Sequence, residues 1–293
     1  MEIILKYINY YISLYNDNLK LEDKILLIKS INALYRVSNN INEEINSIYS
    51  NFIKDKDDVI YLVDEYNDNI NKNNFMSKDD LVYLYELIKK IKINNNIVSK
   101  DMNDTYYLNY YMNNNEDYLM LINYLYNKTI YDDNFNTSCI IDLYNDNLII
   151  LNNRSIIDYI HEITHIYTRN LNNFYIETPS IMMELGIQSF YKLGDKNNRI
   201  NNIKNIYSCS INNILRYANA YIFQNEISYY LGTIIALGFI YRNGNYFENI
   251  KLGVDTLCSN NNLCIKDMLN ILNIKENDII NAFNNKEKIL CKR

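Results

Sequence analysis

Apolar residues recur at helical spacing along the first 126 positions of the chain. Stretches rich in asparagine and aspartate interrupt them near positions 16–19, 38–42, 55–58, 71–76 and 93–97. The pattern predicts five or six helices separated by polar joints. This half has no histidine, cysteine or glycine before Cys139, so it offers neither a metal-ligand set nor a glycine-rich phosphate loop.

The pattern changes at Thr137. Two short apolar runs, 138–144 and 148–151, flank the polar segment Asn145-Asp-Asn and predict two strands joined by a turn. An exposed edge of such a strand pair would bind an extended peptide through main-chain hydrogen bonds. A purely structural hairpin fits the same pattern equally well.

The rest of the chain returns to helical spacing. Asn152 or Asn153, together with Ser155, are cap candidates for a helix over about 156–169. The one proline of the chain, Pro179, predicts a second helix over about 178–193, because proline is tolerated in the first turn of a helix. Four or five further helices follow, the longest over 217–241.

Composition agrees with a mainly helical protein, since 6 glycines and 1 proline in 293 residues are far below the usual share. Hydrophobic residues make up 48% and charged residues 22%, as in globular proteins, and the chain is long enough to bury a large core. We expect a mainly α, many-helix fold with a small antiparallel β-hairpin or sheet. An N-terminal helical region, 1–135, and a second region, 136–293, are expected to form one compact unit.

The net charge of −6 disfavours a nucleic-acid partner. The 5 cysteines are an odd number without a CxxC pair, which indicates reduced thiols and a cytoplasmic protein. The first residues include an early acid and a broken apolar run, unlike a signal peptide. The longest apolar run, 229–241, is too short to span a bilayer, so no membrane partner is expected. No pattern indicates an oligomeric state.

Both histidines of the chain lie in one motif, His161-Glu162-x-x-His165. On a helix the four-residue spacing places both imidazoles on one face, where they can share a metal ion, and Glu162 lies beside that ion. This arrangement is typical of zinc peptidases of the zincin type, in which the glutamate is the general base toward a zinc-activated water. The motif therefore predicts one Zn²⁺ and a peptide substrate.

A catalytic zinc site needs a third protein ligand, and a carboxylate must supply it because no further histidine remains. Glu177 and Glu184 are the candidates. They are seven residues apart, so on a continuous helix both would face a metal held by the preceding helix. Local spacing does not choose between them.

The motif His161-Glu-x-x-His165 followed by Glu177-x-Pro-Ser-x-x-x-Glu184 resembles the signature of the thimet oligopeptidase and oligoendopeptidase F family of zinc peptidases. The resemblance covers roughly the last 160 residues. It implies that Glu177 binds zinc, and that Glu184 orients His161 without binding the metal. It also implies hydrolysis of internal bonds in short or unstructured oligopeptides, with Glu162 as general base.

The chain departs from the family in several respects. Thr164 stands where the family has glycine, the link from His165 to Glu177 is shorter, and the chain has about half the family's length. The family also places a histidine and tyrosines on a late helix to polarise the scissile carbonyl, and no histidine remains here for that role. Tyr217 and Tyr221 are the candidates for a phenolic hydroxyl, although both also fit ordinary positions of an amphipathic helix among 30 tyrosines.

Two alternatives stay open. Glu184 also fits the HExxH-x18-E spacing of the large aminopeptidases that resemble leukotriene hydrolase, which would make it the third ligand. Those enzymes carry a G-x-M-E-N segment upstream, whereas the first glycine here is Gly186. The other alternative is a catalytically weak or inactive peptidase homologue that binds peptides or a protein. The missing late histidine and the short chain favour it, and the intact Glu162 opposes it.

Overall fold

The computed structural model describes residues 2–16, 18–38, 43–54, 56, 75–93, 97–100, 102, 105–113, 115–131, 139–151, 155–168, 174–207, 209–216, 221–260 and 262–291. These ranges are mainly helical and include a three-stranded sheet. The chain divides into two compact units, one formed by Met1–Lys72 and Leu125–Asn152, the other by Asn73–Tyr124 and Asn153–Arg293.

The two units interleave along the chain and differ from the sequence-based division at residue 135. The strands over 129–151 belong with the N-terminal helices, and the helices over 78–124 belong with the C-terminal part. A sequence pattern shows which segments have an apolar face, but it does not show which distant segment that face packs on. The sequence-based division followed a change of pattern, whereas the units follow packing.

The first unit contains helices α1 (Glu2–Leu14), α2 (Leu21–Ser38) and α3 (Glu43–Ile53) and strands β1 (Thr129–Tyr131), β2 (Cys139–Leu143) and β3 (Asp146–Leu151). Helical spacing directs Ile4, Ile8 and Tyr11 of α1 inward. They share one core with Leu148 and Ile150 of β3. The sheet therefore covers the apolar faces of these helices.

Strands β2 and β3 form the predicted antiparallel hairpin, with Leu143 opposite Asp146. Asn145 in its turn has a φ of 58°, which asparagine tolerates better than most residues. The sheet as a whole is not antiparallel as expected, because β1 pairs with the other edge of β3 in parallel. β1 has 3 residues, too few to show an alternating pattern. Since β3 is paired on both edges, it has no free edge for a peptide.

The second unit contains the remaining described helices. They are α4 (Lys78–Lys90), α5 (Thr105–Tyr111), α6 (Glu116–Tyr126, which runs across the unit boundary), α7 (Ile156–Tyr167), α8 (Glu177–Tyr191), α9 (Arg199–Tyr207), α10 (Ile211–Arg216), α11 (Tyr221–Asn243), α12 (Phe247–Cys258), α13 (Ile265–Ile271), α14 (Glu276–Asn284) and α15 (Lys286–Leu290). The predicted helices over 156–169, 178–193 and 217–241 are confirmed as α7, α8 and α11 where the structure describes them, and residues 169 and 217–220 lie outside the described residues. Within the described ranges, no helix combines the length and the apolar character needed to cross a membrane.

Helix α8 is buried from Glu177 to Ser189 because α7, α11 and α12 pack around it. Gly232 allows α11 to approach α8 closely. A Cβ atom at this position would lie 2.6 Å from Ile181 Cδ1 and 3.2 Å from the Cα of Thr178. The glycine therefore sets the distance between α11 and the first turn of α8.

Replacing Gly232 by alanine is expected to destabilise the protein. Overpacking a buried contact costs about 1–3 kcal/mol, and the better helix propensity of alanine offsets only about 1 kcal/mol of it. Urea unfolding followed by circular dichroism measures the loss. Arg242→Ala, at an exposed position of the same helix, is the control and should change stability by less than about 0.5 kcal/mol. An equal effect of both substitutions would contradict the packing role of Gly232.

Candidate metal centre

Helix α7 carries both histidines and is buried on nearly all sides. It begins after Ser155, and the N–H of Ile156 donates to the carbonyl of Met102 at 3.1 Å. Thr164, at the position where the family that the motif resembles has glycine, is fully buried, and its hydroxyl donates to the carbonyl of Ile160 at 2.7 Å. The hydroxyl of Thr164 therefore has a hydrogen-bond partner within the helix. A threonine at this position does not disturb α7.

His161, His165 and Glu177 bring three ligand atoms together. The Nε2 atoms of His161 and His165 lie 3.2 Å apart, and each lies 3.3 Å from Glu177 Oε2. Ligands that lie about 2.0–2.2 Å from a tetrahedral ion are about 3.3–3.6 Å from one another. The three atoms therefore have nearly the separations of one face of a tetrahedral metal site.

The surroundings of Glu177 favour a cation between these atoms. Glu177 is buried, and its Oε2 makes no hydrogen bond of good geometry within the described ranges. Its neighbours there are the two imidazole nitrogens. Buried polar atoms that face one another without a shared cation would carry a desolvation cost. Two histidines and a glutamate are also a ligand set that zinc accepts.

The electrostatics of the group also favour positive charge. Burial opposes protonation of His161, but the carboxylates of Glu177 and Glu184 outweigh it and raise the pKa of His161 to about 10. Burial alone would raise the pKa of Glu177, yet His161 and His165 hold that pKa well below its usual value. The group is therefore suited to holding a cation.

Glu184 lies behind His161 and not among the three ligand atoms. Its Oε2 accepts a hydrogen bond from His161 Nδ1 at 3.0 Å and another from Arg199 Nη2 at 2.9 Å. Asn197 donates to its Oε1 at 3.0 Å. Burial is unfavourable to the charge of Glu184, but Arg199 and His161 lower its pKa to about 2. Such a carboxylate fixes the imidazole ring and directs Nε2 of His161 toward the other two ligand atoms.

Glu162 is also buried in this region, one position after the first histidine. Burial raises its pKa, and the positive charges of His161 and His165 partly oppose this effect. A carboxyl group is a more effective general base when its pKa approaches the working pH. The position and the environment of Glu162 are therefore those of a candidate base.

The two tyrosines predicted for the site are not tested by the structure. Tyr217 and the side chain of Tyr221 lie outside the described residues. The structure instead places Tyr229 of α11 beside His161, one of the three candidate metal ligands. Its ring stacks on the ring of His161, with centroids 6.4 Å apart and planes 14° apart. Its phenolic pKa is raised by burial and by the charge of Glu177.

Sequence reasoning missed both Tyr229 and Arg199. The guanidinium carbon of Arg199 lies 4.6 Å from the centre of the Tyr229 ring, so the two residues form one cluster beside His161. No pattern in the sequence indicated Arg199, because the need of Glu184 for a positive partner follows from its burial, which only the structure shows. Tyr229 lies two helical turns after Tyr221, but a chain with 30 tyrosines gives no reason to select it.

Comparisons of the chain with protein-family models, with curated proteins and with solved structures each find no match. The geometry and the chemistry of the residues around His161 are therefore the basis for a functional proposal.

Proposed function

We propose that this chain is a zinc metallopeptidase. The proposal rests on the triangle of His161 Nε2, His165 Nε2 and Glu177 Oε2, with sides of 3.2 to 3.3 Å and the buried Glu162 next to it. Within this class, we propose an oligopeptidase that cleaves internal bonds of short or unstructured peptides. The position of Glu184 behind His161 supports this type, because it is the role that the resemblance to thimet oligopeptidase and oligoendopeptidase F implies.

The protein side chains have separate roles in the proposed hydrolysis. His161, His165 and Glu177 hold the zinc ion, which when bound polarises a carbonyl and lowers the pKa of water toward ~7. Glu162 accepts a proton from the attacking water and delivers it to the nitrogen of the leaving amine, so each cleaved peptide bond consumes one water. The phenolic O–H of Tyr229 donates a hydrogen bond to the carbonyl oxygen as negative charge develops there, and the proton stays on the tyrosine.

Tyr229→Phe is expected to lower kcat/KM for peptide cleavage by about 10²-fold, because it removes one donor to the developing charge. Zinc content should stay at the wild-type level, since the stacked ring on His161 is retained. Steady-state kinetics and metal analysis of the same preparation measure both quantities. Tyr241→Phe, at an exposed position of the same helix, is the control and should keep the wild-type rate. An unchanged rate in the Tyr229 variant would remove this residue from the mechanism.

A library of quenched fluorescent peptides tests the function itself. We expect cleavage by protein that contains one zinc per chain, loss of cleavage with a chelator and recovery with added zinc. Glu162→Gln protein purified in parallel identifies any contaminating peptidase. Full zinc content without cleavage of any peptide would contradict the proposal and favour a peptide-binding protein. Cleavage that survives complete zinc removal would also contradict it.

A further inference from the structure

A polar cavity of about 240 Å³ lies between α9 and α11. Arg199 and Asn202 line it from α9, and Glu226, Tyr229 and Thr233 line it from α11. The spacings of three, four and seven residues place each set on one face of its helix. The volume is below the roughly 300–1,000 Å³ of sites for whole small molecules, and it suits a single side chain.

The cavity adjoins the metal group through two of its lining residues. The ring of Tyr229 stacks on His161 at 6.4 Å, and Arg199 is paired with Glu184 at 2.9 Å. Tyr229 therefore contacts His161 and also lines the cavity, so the cavity lies next to the candidate metal ligands.

The two charged groups of the cavity differ in their surroundings. Arg199 is largely buried, and its charge is balanced by the carboxylate of Glu184. Glu226 is exposed, and no ion pair joins it to a cation in the part of the chain that the structure describes. The rings of Tyr229 and Tyr230 also line the cavity, and aromatic faces attract cations. The uncompensated charge of the cavity is therefore negative.

We propose that this cavity binds a lysine or arginine side chain of the peptide substrate, with Glu226 as its charge partner. The proposal rests on the peptidase function proposed above and narrows its substrate class to peptides with a basic residue near the cleaved bond, because Tyr229 both lines the cavity and stacks on His161. An acidic side chain would meet the like charge of Glu226. The net charge of −6 also favours the approach of basic peptides.

Cleavage of matched peptides tests the preference. All peptides share a common core sequence. In each peptide one position near the core carries lysine, alanine or glutamate, and mass spectrometry identifies the cleaved bond. For the zinc-loaded wild type we expect kcat/KM to be about tenfold higher with lysine than with alanine. Glu226→Gln should remove this difference, and Glu226→Lys should reverse it in favour of glutamate. Glu86→Gln removes the same charge from an exposed position of α4 that does not line the cavity, and should leave the preference unchanged.

Binding provides a readout without turnover. The Glu162→Gln protein is titrated with the same peptides by fluorescence anisotropy, with and without Glu226→Lys. If lysine peptides bind preferentially and Glu226→Lys abolishes this preference, the result supports the proposed binding of a basic side chain. This holds even if no peptide is cleaved and the hydrolytic function fails. Cleavage without any charge preference, or a lysine preference that persists in Glu226→Lys, would overturn the pocket and leave the peptidase function intact. Neither cleavage nor selective binding would overturn both.

Discussion

Replacing Glu162 by glutamine is expected to lower kcat/KM for peptide cleavage by about 10²- to 10⁴-fold, the usual contribution of a general acid–base. Glutamine keeps the shape of the side chain but cannot accept the proton of the attacking water. Zinc content should not change, because the three converging ligand atoms belong to His161, His165 and Glu177. Kinetics over a range of pH and metal analysis of the purified variant measure the two effects.

Asp158→Asn is the matched control for this substitution. It changes a carboxylate to an amide on the same helix, one turn before Glu162, and Asp158 is outside the ligand group. We expect it to keep most of the activity. Wild-type rates in the Glu162 variant, or equal losses in both variants, would be incompatible with Glu162 as the base.

Glu177→Ala is expected to abolish zinc binding at micromolar metal, because it removes one of three ligand atoms. Glu184→Ala keeps all three and should weaken zinc binding by about 10- to 100-fold, as loss of a hydrogen-bond partner of a metal-binding histidine commonly does. Competition with a chromogenic chelator gives both affinities. Retention of wild-type affinity in the Glu177 variant, together with its loss in the Glu184 variant, would exchange the two roles.

The free energy of unfolding tests the role of Glu184 without depending on metal binding. Glu184 is fully buried and pairs with Arg199, so Glu184→Ala leaves a buried guanidinium without its partner. We expect a loss of about 3–5 kcal/mol in the free energy of unfolding, measured in excess chelator. The double variant Glu184→Met with Arg199→Met removes both charges and should recover much of this loss. Failure of the double variant to recover stability would contradict the ion pair as the cause.

The motif helix and its two neighbours could be predicted from the sequence because their signals are local. The spacing of the histidines requires only one helix, and Pro179 indicates where the next begins. The hairpin could be predicted for the same reason. Strand β1 could not, since a parallel partner is joined through a long connection and its short run has no alternation of its own.

Local sequence patterns could not predict which of Glu177 and Glu184 lies among the ligand atoms. Both face α7 from the same side of α8, and their spacing alone left both as ligands. What separates them in the structure is Arg199, which engages Glu184 from a different helix. Tyr229 reaches the site from α11 in the same manner. Contacts between helices distant in sequence depend on packing, which periodicity does not encode.

The interleaving of the two units has a consequence for synthesis of the chain. The first unit has all of its residues once synthesis has passed Asn152, whereas the second requires segments on both sides of that point and extends to Arg293. Domains generally fold as units during synthesis, the N-terminal one first. The segment over 73–124 can then fold into the second unit only after α7, α8 and α11 have been synthesised. His161, His165 and Glu177 therefore come together only after α11 has been synthesised, so a truncated chain that ends before α11 would retain both histidines but lack the helix that packs on α8.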